Sequence, residues 1–168
     1  QTYETNSQWC YGAAAKYDDK FWNKGNQPGS PIKEFVINPN TDCAPVWSPP
    51  GIFSYIRTIN WPTLPSGWSS GNGLCSMDGN TLLMGSVNMP GTYSKGLVKV
   101  DISGSTSVLT YLFETVNEIH GDIVYIPSSN TIVTMERSQN PWDITLCHYD
   151  ITGILLNSTS IASSNIIN

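Results

Sequence analysis

The chain has 168 residues, a length that suits one domain with a substantial core, and only 12% of its residues are charged. Its net charge is −5, and its eight basic residues do not form the cluster that collects nucleic-acid phosphates, so nucleic acid is not expected as a partner. No apolar run approaches the roughly 20 residues that a membrane helix needs, and 14 glycines and 11 prolines leave little room for helices. We therefore expect an all-β chain with little or no helix and no membrane span.

A first, divergent repeat unit is predicted for residues 1–47. Its strands are expected at 8–15, 20–22, 32–37 and 43–47, with a turn after the first strand and a Gly/Pro-rich loop after the second. This order of strands, turns and loop is typical of a four-stranded antiparallel meander.

Residues 48–72 are rich in Pro, Gly, Ser and Trp and are predicted to be an insertion or a long exposed loop, in which 52–59 could make one strand. Trp47, Trp61 and Trp68 lie at its start or within it. Aromatic side chains on an exposed loop can stack on sugars or anchor a protein interface, so these three are candidate binding residues. The alternative is that they plug the edge of an incomplete stack of sheets.

Residues 73–118 and 119–168 are predicted to be a second and a third unit, because their sequences repeat. Asp101-Ile102-Ser103-Gly104 returns as Asp150-Ile151-Thr152-Gly153, and Asn80-Thr81 returns as Asn130-Thr131, at offsets of 49 and 50 residues. A fixed offset of this size is typical of a supersecondary unit that is used several times. The third unit is expected to be truncated or to continue, since its last residues have the composition of a strand.

The repeated tetrapeptides are interpreted as structural turns. The carboxylates of Asp101 and Asp150 are expected to accept hydrogen bonds from backbone amides two residues further on, while Gly104 and Gly153 accommodate a positive φ. Calcium binding is the alternative, but each turn offers a single Asp where calcium needs several oxygens. No metal site or cofactor is expected.

His120 and Asp122 open the third unit and are candidate binding residues. In a propeller the corresponding positions lie near the central channel, although a structural hydrogen bond is the simpler role for His120. A hydrolase would need two carboxyl groups at one site, and Asp122 and Glu136 are candidates for that pair. Surface positions in contact with water are the default interpretation for all these acids.

The four cysteines permit two disulfides with three possible pairings. A bond between Cys10 and Cys43 is the preferred pairing. The alternative is that all four side chains are buried thiols, because a chain of this size needs no disulfide to fold.

The segments Gly121-Asp122-Ile123-Val124-Tyr125-Ile126-Pro127 and Tyr149-Asp150-Ile151-Thr152-Gly153 resemble β-propeller repeats of the kelch- or NHL-like kind. They are also similar to repeats in structural proteins of bacteriophage particles. The resemblance implies a surface for binding or assembly and brings no catalytic residue, since propellers carry many unrelated functions.

Three units of about fifty residues predict a partial β-propeller of repeated four-stranded antiparallel meanders, about three blades, because closed propellers have four to eight. The expected function is a non-enzymatic structural or adhesion component of an extracellular assembly, such as a virion surface or tail. Its expected partners are other protein subunits and surface glycans. The alternative is a secreted protein that binds or hydrolyses carbohydrate.

Overall fold

The computed structural model describes residues 13–25, 30–37, 53–62, 73–85, 96–138 and 143–161. Within these ranges the chain forms twelve strands and no helix, and nothing there is long and apolar enough to cross a membrane as a helix. The strands are β1 (Ala13–Tyr17), β2 (Lys20–Lys24), β3 (Ile32–Ile37), β4 (Phe53–Ile59), β5 (Leu74–Asp78), β6 (Thr81–Gly85), β7 (Gly96–Asp101), β8 (Val108–Glu114), β9 (Glu118–Ile126), β10 (Thr131–Arg137), β11 (Ile144–Asp150) and β12 (Leu155–Ile161).

The twelve strands form three four-stranded antiparallel sheets, each made of strands that are consecutive in the sequence. The first sheet contains β1 to β4, the middle sheet β5 to β8 and the third sheet β9 to β12. The prediction of an all-β chain built from repeated meanders is thus confirmed, and the three sheets do not close into a ring.

The offset of about fifty residues has a direct structural meaning. Thr81 opens β6 and pairs with Asp101 at the end of β7, and Thr131 opens β10 and pairs with Asp150 at the end of β11. The middle and third sheets therefore share one pairing register at this point. Positions in the two sheets that are equally far from these pairs therefore correspond to each other.

The first sheet takes its fourth strand from the stretch that we interpreted as an insertion. Strand β4, within 48–72, pairs with β3 from Ile32↔Ile59 to Ile37↔Phe53. Because β2 occupies the other edge of β3, the place that we assigned to 43–47 is filled. Residues 38–52 lie outside the described part of the chain. The first unit consequently extends at least to Ile59.

The two central strands of the middle sheet, β6 and β7, carry buried side chains on both faces. Leu82 and Met84 belong to a hydrophobic core shared with Trp22, Ile32 and Ile59 of the first sheet. The side chains between them point the other way, so Leu83 enters a second core with Ile119, Ile123, Ile132 and Tyr149 of the third sheet. The first strands of adjacent sheets are also in contact, β1 with β5 and β5 with β9.

Candidate functional site

A cavity of about 430 Å³ lies where the first strands of the three sheets meet. Lys16 comes from β1, Ser76 from β5 and Asp122 from β9, and the apolar part of the lining includes Leu74 and Ile123. Asp122 was a predicted binding residue, whereas Lys16 and Ser76 were not predicted, because their convergence depends on how separate sheets pack.

His120 does not line this cavity. Its side chain is exposed, and its Nε2 lies 3.1 Å from an Nη1 nitrogen of Arg137 on the neighbouring strand. Arg137 also forms an ion pair with Glu118, with 3.6 Å between Nη2 and Oε2. The two residues predicted together, His120 and Asp122, therefore face different surroundings.

Trp61 is buried, with 8% of its surface exposed, and it belongs to the core between the first and middle sheets. The ammonium nitrogen of Lys24 lies 4.6 Å from the centre of its ring, a cation–π contact. This position matches the alternative in which the tryptophans plug the stack, and it leaves little of Trp61 for a ligand. Trp47 and Trp68 lie outside the described residues.

Lys24 is a buried lysine, with 1% of its surface exposed, and its Nζ donates a 3.0 Å hydrogen bond to the carbonyl oxygen of Gly25. Burial lowers the pKa of Lys24 from its ordinary value to about 8, because the charged form loses hydration.

A pH dependence of stability follows from Lys24. Between pH 8 and the ordinary pKa of 10.5, the folded state holds fewer protons on Lys24 than the unfolded state, so the free energy of unfolding rises with pH across this window. The Lys24→Met variant is expected to lose this rise and to be more stable than the parent chain below pH 8, by about 2–4 kcal/mol. Urea unfolding of both proteins from pH 7 to 10 measures the difference. Lys99→Met, at an exposed position of the middle sheet, is the control. If the free energies of unfolding of the parent chain and of Lys24→Met depend on pH in the same way, the prediction is contradicted.

Glu136 on β10 is fully buried and accepts three hydrogen bonds. The hydroxyls of Thr134 and Tyr149 each donate to Oε1 at 2.7 Å, and the backbone NH of Asn117 donates to Oε2 at 2.7 Å. The Tyr149 oxygen in turn accepts a 3.0 Å hydrogen bond from the backbone NH of Val116. Glu136 was predicted to be an acid in contact with water. That prediction assumed that the face of β10 on which Glu136 lies is exposed to solvent. Glu136 instead fastens the segment between β8 and β9, which joins the middle sheet to the third.

The surroundings of Glu136 also determine two pKa shifts. Burial raises the pKa of Tyr149 and raises that of the Cys147 thiol to about 11, and the charge of Glu136 contributes in the same direction. Both groups consequently stay protonated at neutral pH. Neither is suited to act as a nucleophile there.

Glu34 and Arg57 connect the first sheet to the middle sheet. Glu34 is 2% exposed, and the Arg57 Nε donates to its Oε2 at 2.5 Å, while Lys20 lies 3.6 Å from its Oε1. The same guanidinium donates to the carbonyl oxygens of Ile102 at 2.8 Å and Gly104 at 3.0 Å. Arg57 thus holds the turn that follows Asp101 against the first sheet.

The two Asp turns have the expected carboxylate contacts. Asp101 accepts a 2.8 Å hydrogen bond from the NH of Ser103, and Asp150 accepts from the NH of Thr152 at 2.9 Å, from the Thr152 hydroxyl at 2.8 Å and from the NH of Ile154 at 2.9 Å. These bonds lower the pKa of both carboxyls, through the Ser103 NH for Asp101 and chiefly through the Thr152 hydroxyl for Asp150.

The two glycines of these turns differ. Gly153 has φ of 96°, as predicted, but Gly104 does not adopt a positive φ. The two turns follow different paths. The Asp150 turn closes tightly, with a 3.1 Å hydrogen bond from the Gly153 NH to the Asp150 carbonyl. The chain after Asp101 instead runs on to Thr106, which forms an isolated parallel bridge with Asn60, the residue directly after β4.

Cys75 and Cys147 are free thiols. Two intrachain disulfides are therefore excluded, and the pairing of Cys10 with Cys43, which lie outside the described residues, stays a prediction. Burial raises the pKa of Cys75, whose sulfur accepts a 3.3 Å hydrogen bond from the NH of Tyr125. In the ranges that the structure describes, no three His, Cys, Asp or Glu side chains come together as a metal site.

The outer face of the third sheet, directed away from the middle sheet, carries a group of adjacent apolar side chains. We define it by Val124, Val133, Met135 and Leu146, which pair as Val124↔Val133 and Met135↔Leu146 on β9, β10 and β11. Val124 is 52% exposed and Leu146 42% exposed. Their neighbours in sequence, such as Ile132 and Cys147, point to the opposite face and are buried against the middle sheet.

The repeat shows what these positions do in the preceding sheet. Counting from Thr81 and Thr131, Val133 corresponds to Leu83; counting from Asp101 and Asp150, Leu146 corresponds to Leu97. Leu83 and Leu97 are both 0% exposed, because the third sheet covers them. The outer face of the third sheet therefore carries apolar side chains at positions that are core positions in the middle sheet. Alternation along a strand was visible in the sequence, but which face has a neighbouring sheet was not.

Comparison with known proteins gives no family for the chain. No protein-family model matches it, and no curated protein matches it significantly.

Proposed function

We propose that this protein is a structural or adhesion module that binds other protein subunits in an extracellular assembly such as a virion surface or tail. The observation that carries the proposal is the outer face of the third sheet. Leu146 is exposed and Val133 is half-buried, whereas the corresponding Leu97 and Leu83 are fully buried one sheet earlier. An exposed, contiguous apolar surface is the usual sign of a protein interaction site.

The way in which the sheets join supports an assembly role. Each junction combines an apolar face with polar fasteners, Arg57 and Glu34 at the first junction and Glu136 with Asn117 at the second. A module of this kind gains stability from each neighbour that it acquires. Because of the sequence resemblance, we also propose that the module is a propeller of the kelch- or NHL-like kind and that the assembly is a bacteriophage particle.

The hydrolase alternative finds less support in the geometry. It needs two carboxyl groups that face one substrate. Asp122 lines the cavity between the first strands, but Glu136 is 0% exposed and its two carboxylate oxygens are engaged by Thr134, Tyr149 and Asn117. These two acids therefore do not share an accessible site.

Fractionation of the natural source tests the proposal. With an antibody against the chain, we expect the protein to sediment in particles much larger than its own 18.4 kDa. A Leu146→Asp version expressed in the same source is expected to shift to the slow fractions, whereas Val108→Asp, at a 61% exposed position of the middle sheet, is expected to stay in the particles. Recovery of the protein only in slow fractions, with glycoside hydrolysis that Asp122→Asn abolishes, would contradict the proposal.

A further inference from the structure

We infer that the outer face of the third sheet binds the outer face of the first sheet of a second copy of this chain, so that two copies form a closed ring of six sheets. The inference rests on the proposed function and names the partner. It follows from the repeat positions on the two end faces and from the number of sheets.

The first sheet presents aromatic side chains at two of the positions that pack on Leu83 and Leu97 at the second junction. Lys20 follows the hairpin turn of the first sheet as Thr81 follows that of the middle sheet, so Phe21 corresponds to Leu82. Lys20 pairs with Val36 as Thr81 pairs with Asp101, so Phe35 corresponds to Val100.

Leu82 and Val100 form the face with which the middle sheet contacts the first sheet, and both are 0% exposed. In the third sheet the same two positions are Ile132 and Tyr149, which contact the middle sheet. This type of face is thus used at both junctions within the chain. The first sheet carries Phe21 and Phe35 at the corresponding positions.

The outer face of the first sheet has an aromatic row and a polar row. Phe21 lies 6.2 Å from Phe35, and Phe35 lies 5.9 Å from Tyr55, between ring centres. Tyr55 is 44% exposed, and the paired residues Asn23, Lys33 and Thr58 of the same face are exposed. The aromatic row is the part of the face that packs on the second copy, and the polar row lies beside it.

The number of sheets fits closure. The described residues form three sheets, so two copies of them supply six, and closed propellers contain four to eight. A two-fold rotation places the third sheet of each copy on the first sheet of the other, so one contact type occurs twice and covers both end faces. A head-to-tail contact that closes in this way gives a finite assembly rather than a filament.

The test measures the mass of the purified 168-residue chain by sedimentation and light scattering. A dimer is expected, twice the 18.4 kDa of one chain. Leu146→Asp and, separately, Val124→Lys are expected to weaken the dimer about a hundredfold or more, because each dimer contains the change at two contacts. Tyr55→Asp is expected to act likewise from the other face. Val108→Asp is the matched control, since it lies on the middle sheet and should leave the dimer intact.

A mixture of two variants identifies the faces in contact. Leu146→Asp retains an intact first sheet, and Tyr55→Asp retains an intact third sheet, so together they can form one normal contact. We expect the mixture to contain a dimer of the two variants, whereas each variant alone stays monomeric. Near-ultraviolet circular dichroism should show that both variants are folded.

Three results would overturn the inference: a monomeric parent chain, a dimer that Leu146→Asp and Val124→Lys leave unchanged, or failure of the mixture to associate. Growth into long filaments would overturn the closed ring. The proposed function fails separately, if the dimer forms but the protein in its source stays outside larger particles. Conversely, if the purified chain is monomeric but the protein is found in such particles, the proposed function stands and a second copy is not its partner.

Discussion

Replacing Glu136 with alanine is expected to lower the free energy of unfolding by about 3–5 kcal/mol. The change removes the acceptor of three hydrogen bonds and leaves the Tyr149 hydroxyl and the Asn117 NH without their partner in a buried region. A buried donor that loses its partner costs its full desolvation. A cavity at a position with 0% exposure adds to this loss.

Two further variants separate the role of the carboxylate from that of its volume. Glu136→Gln keeps the shape and can keep an oxygen toward the Asn117 NH, so about half of the loss is expected. Glu118→Ala, which removes a carboxylate whose partner Arg137 is 3.6 Å away and partly exposed, is expected to cost about 0–1 kcal/mol. Urea unfolding measures the free energy of unfolding of the three variants, and its slope with urea concentration should be unchanged. An alanine variant at position 136 as stable as the Glu118→Ala variant would refute the anchoring role.

Replacing Gly153 with alanine is the second change with a large expected effect, about 2–5 kcal/mol of destabilisation. Gly153 has φ of 96°, where an L side chain is strained, and a Cβ there would come within 2.5 Å of the Cβ and Cγ atoms of Phe113 on the middle sheet. Neither Phe113, at 7% exposure, nor the turn held by Asp150 has space to move away.

Gly104 provides the matched control, because it has the same place in the preceding repeat. It has no positive φ, and a Cβ at Gly104 would meet its nearest neighbour, the Thr106 carbonyl oxygen, at 3.4 Å. Gly104→Ala is therefore expected to change the stability by less than about 1 kcal/mol. Thermal unfolding of both variants makes the comparison, and equal losses would show that backbone conformation and the Phe113 contact do not distinguish the two turns.

The part of the fold that the sequence predicts is the part determined by local contacts. The Asp101 and Asp150 turns, the strands beside them and their common register follow from neighbouring residues. The fourth strand of the first sheet was predicted at 43–47, but Phe53–Ile59 takes that place. The segment that joins β3 and β4 is longer than those of the other paired strands, and the pairing depends on register rather than on a turn motif.

The candidate sites depend on packing between sheets, which local patterns do not contain. Alternation along β10 puts Glu136 on the same face as Ile132 and Thr134, a signal that it is buried. Its partners Tyr149 and Asn117 come from another strand and from the connection between sheets. Likewise the sequence left Trp61 open as a plug or as a binding residue, because its burial between the first and middle sheets depends on how the sheets pack.

Because every sheet is built from consecutive strands, synthesis of the chain imposes an order on its folding. When a sheet has been synthesised, the face that will contact the next sheet is still exposed. The strands that cover this face follow about fifty residues later, and their synthesis takes roughly 3–10 s at ordinary rates of translation. Leu83 and Leu97 pass through this unprotected interval on the way to the finished protein. Val124 and Leu146 of the third sheet have the same exposure in the structure of the 168 residues. A chaperone that recognises nascent apolar strands would therefore bind this face until a partner covers it.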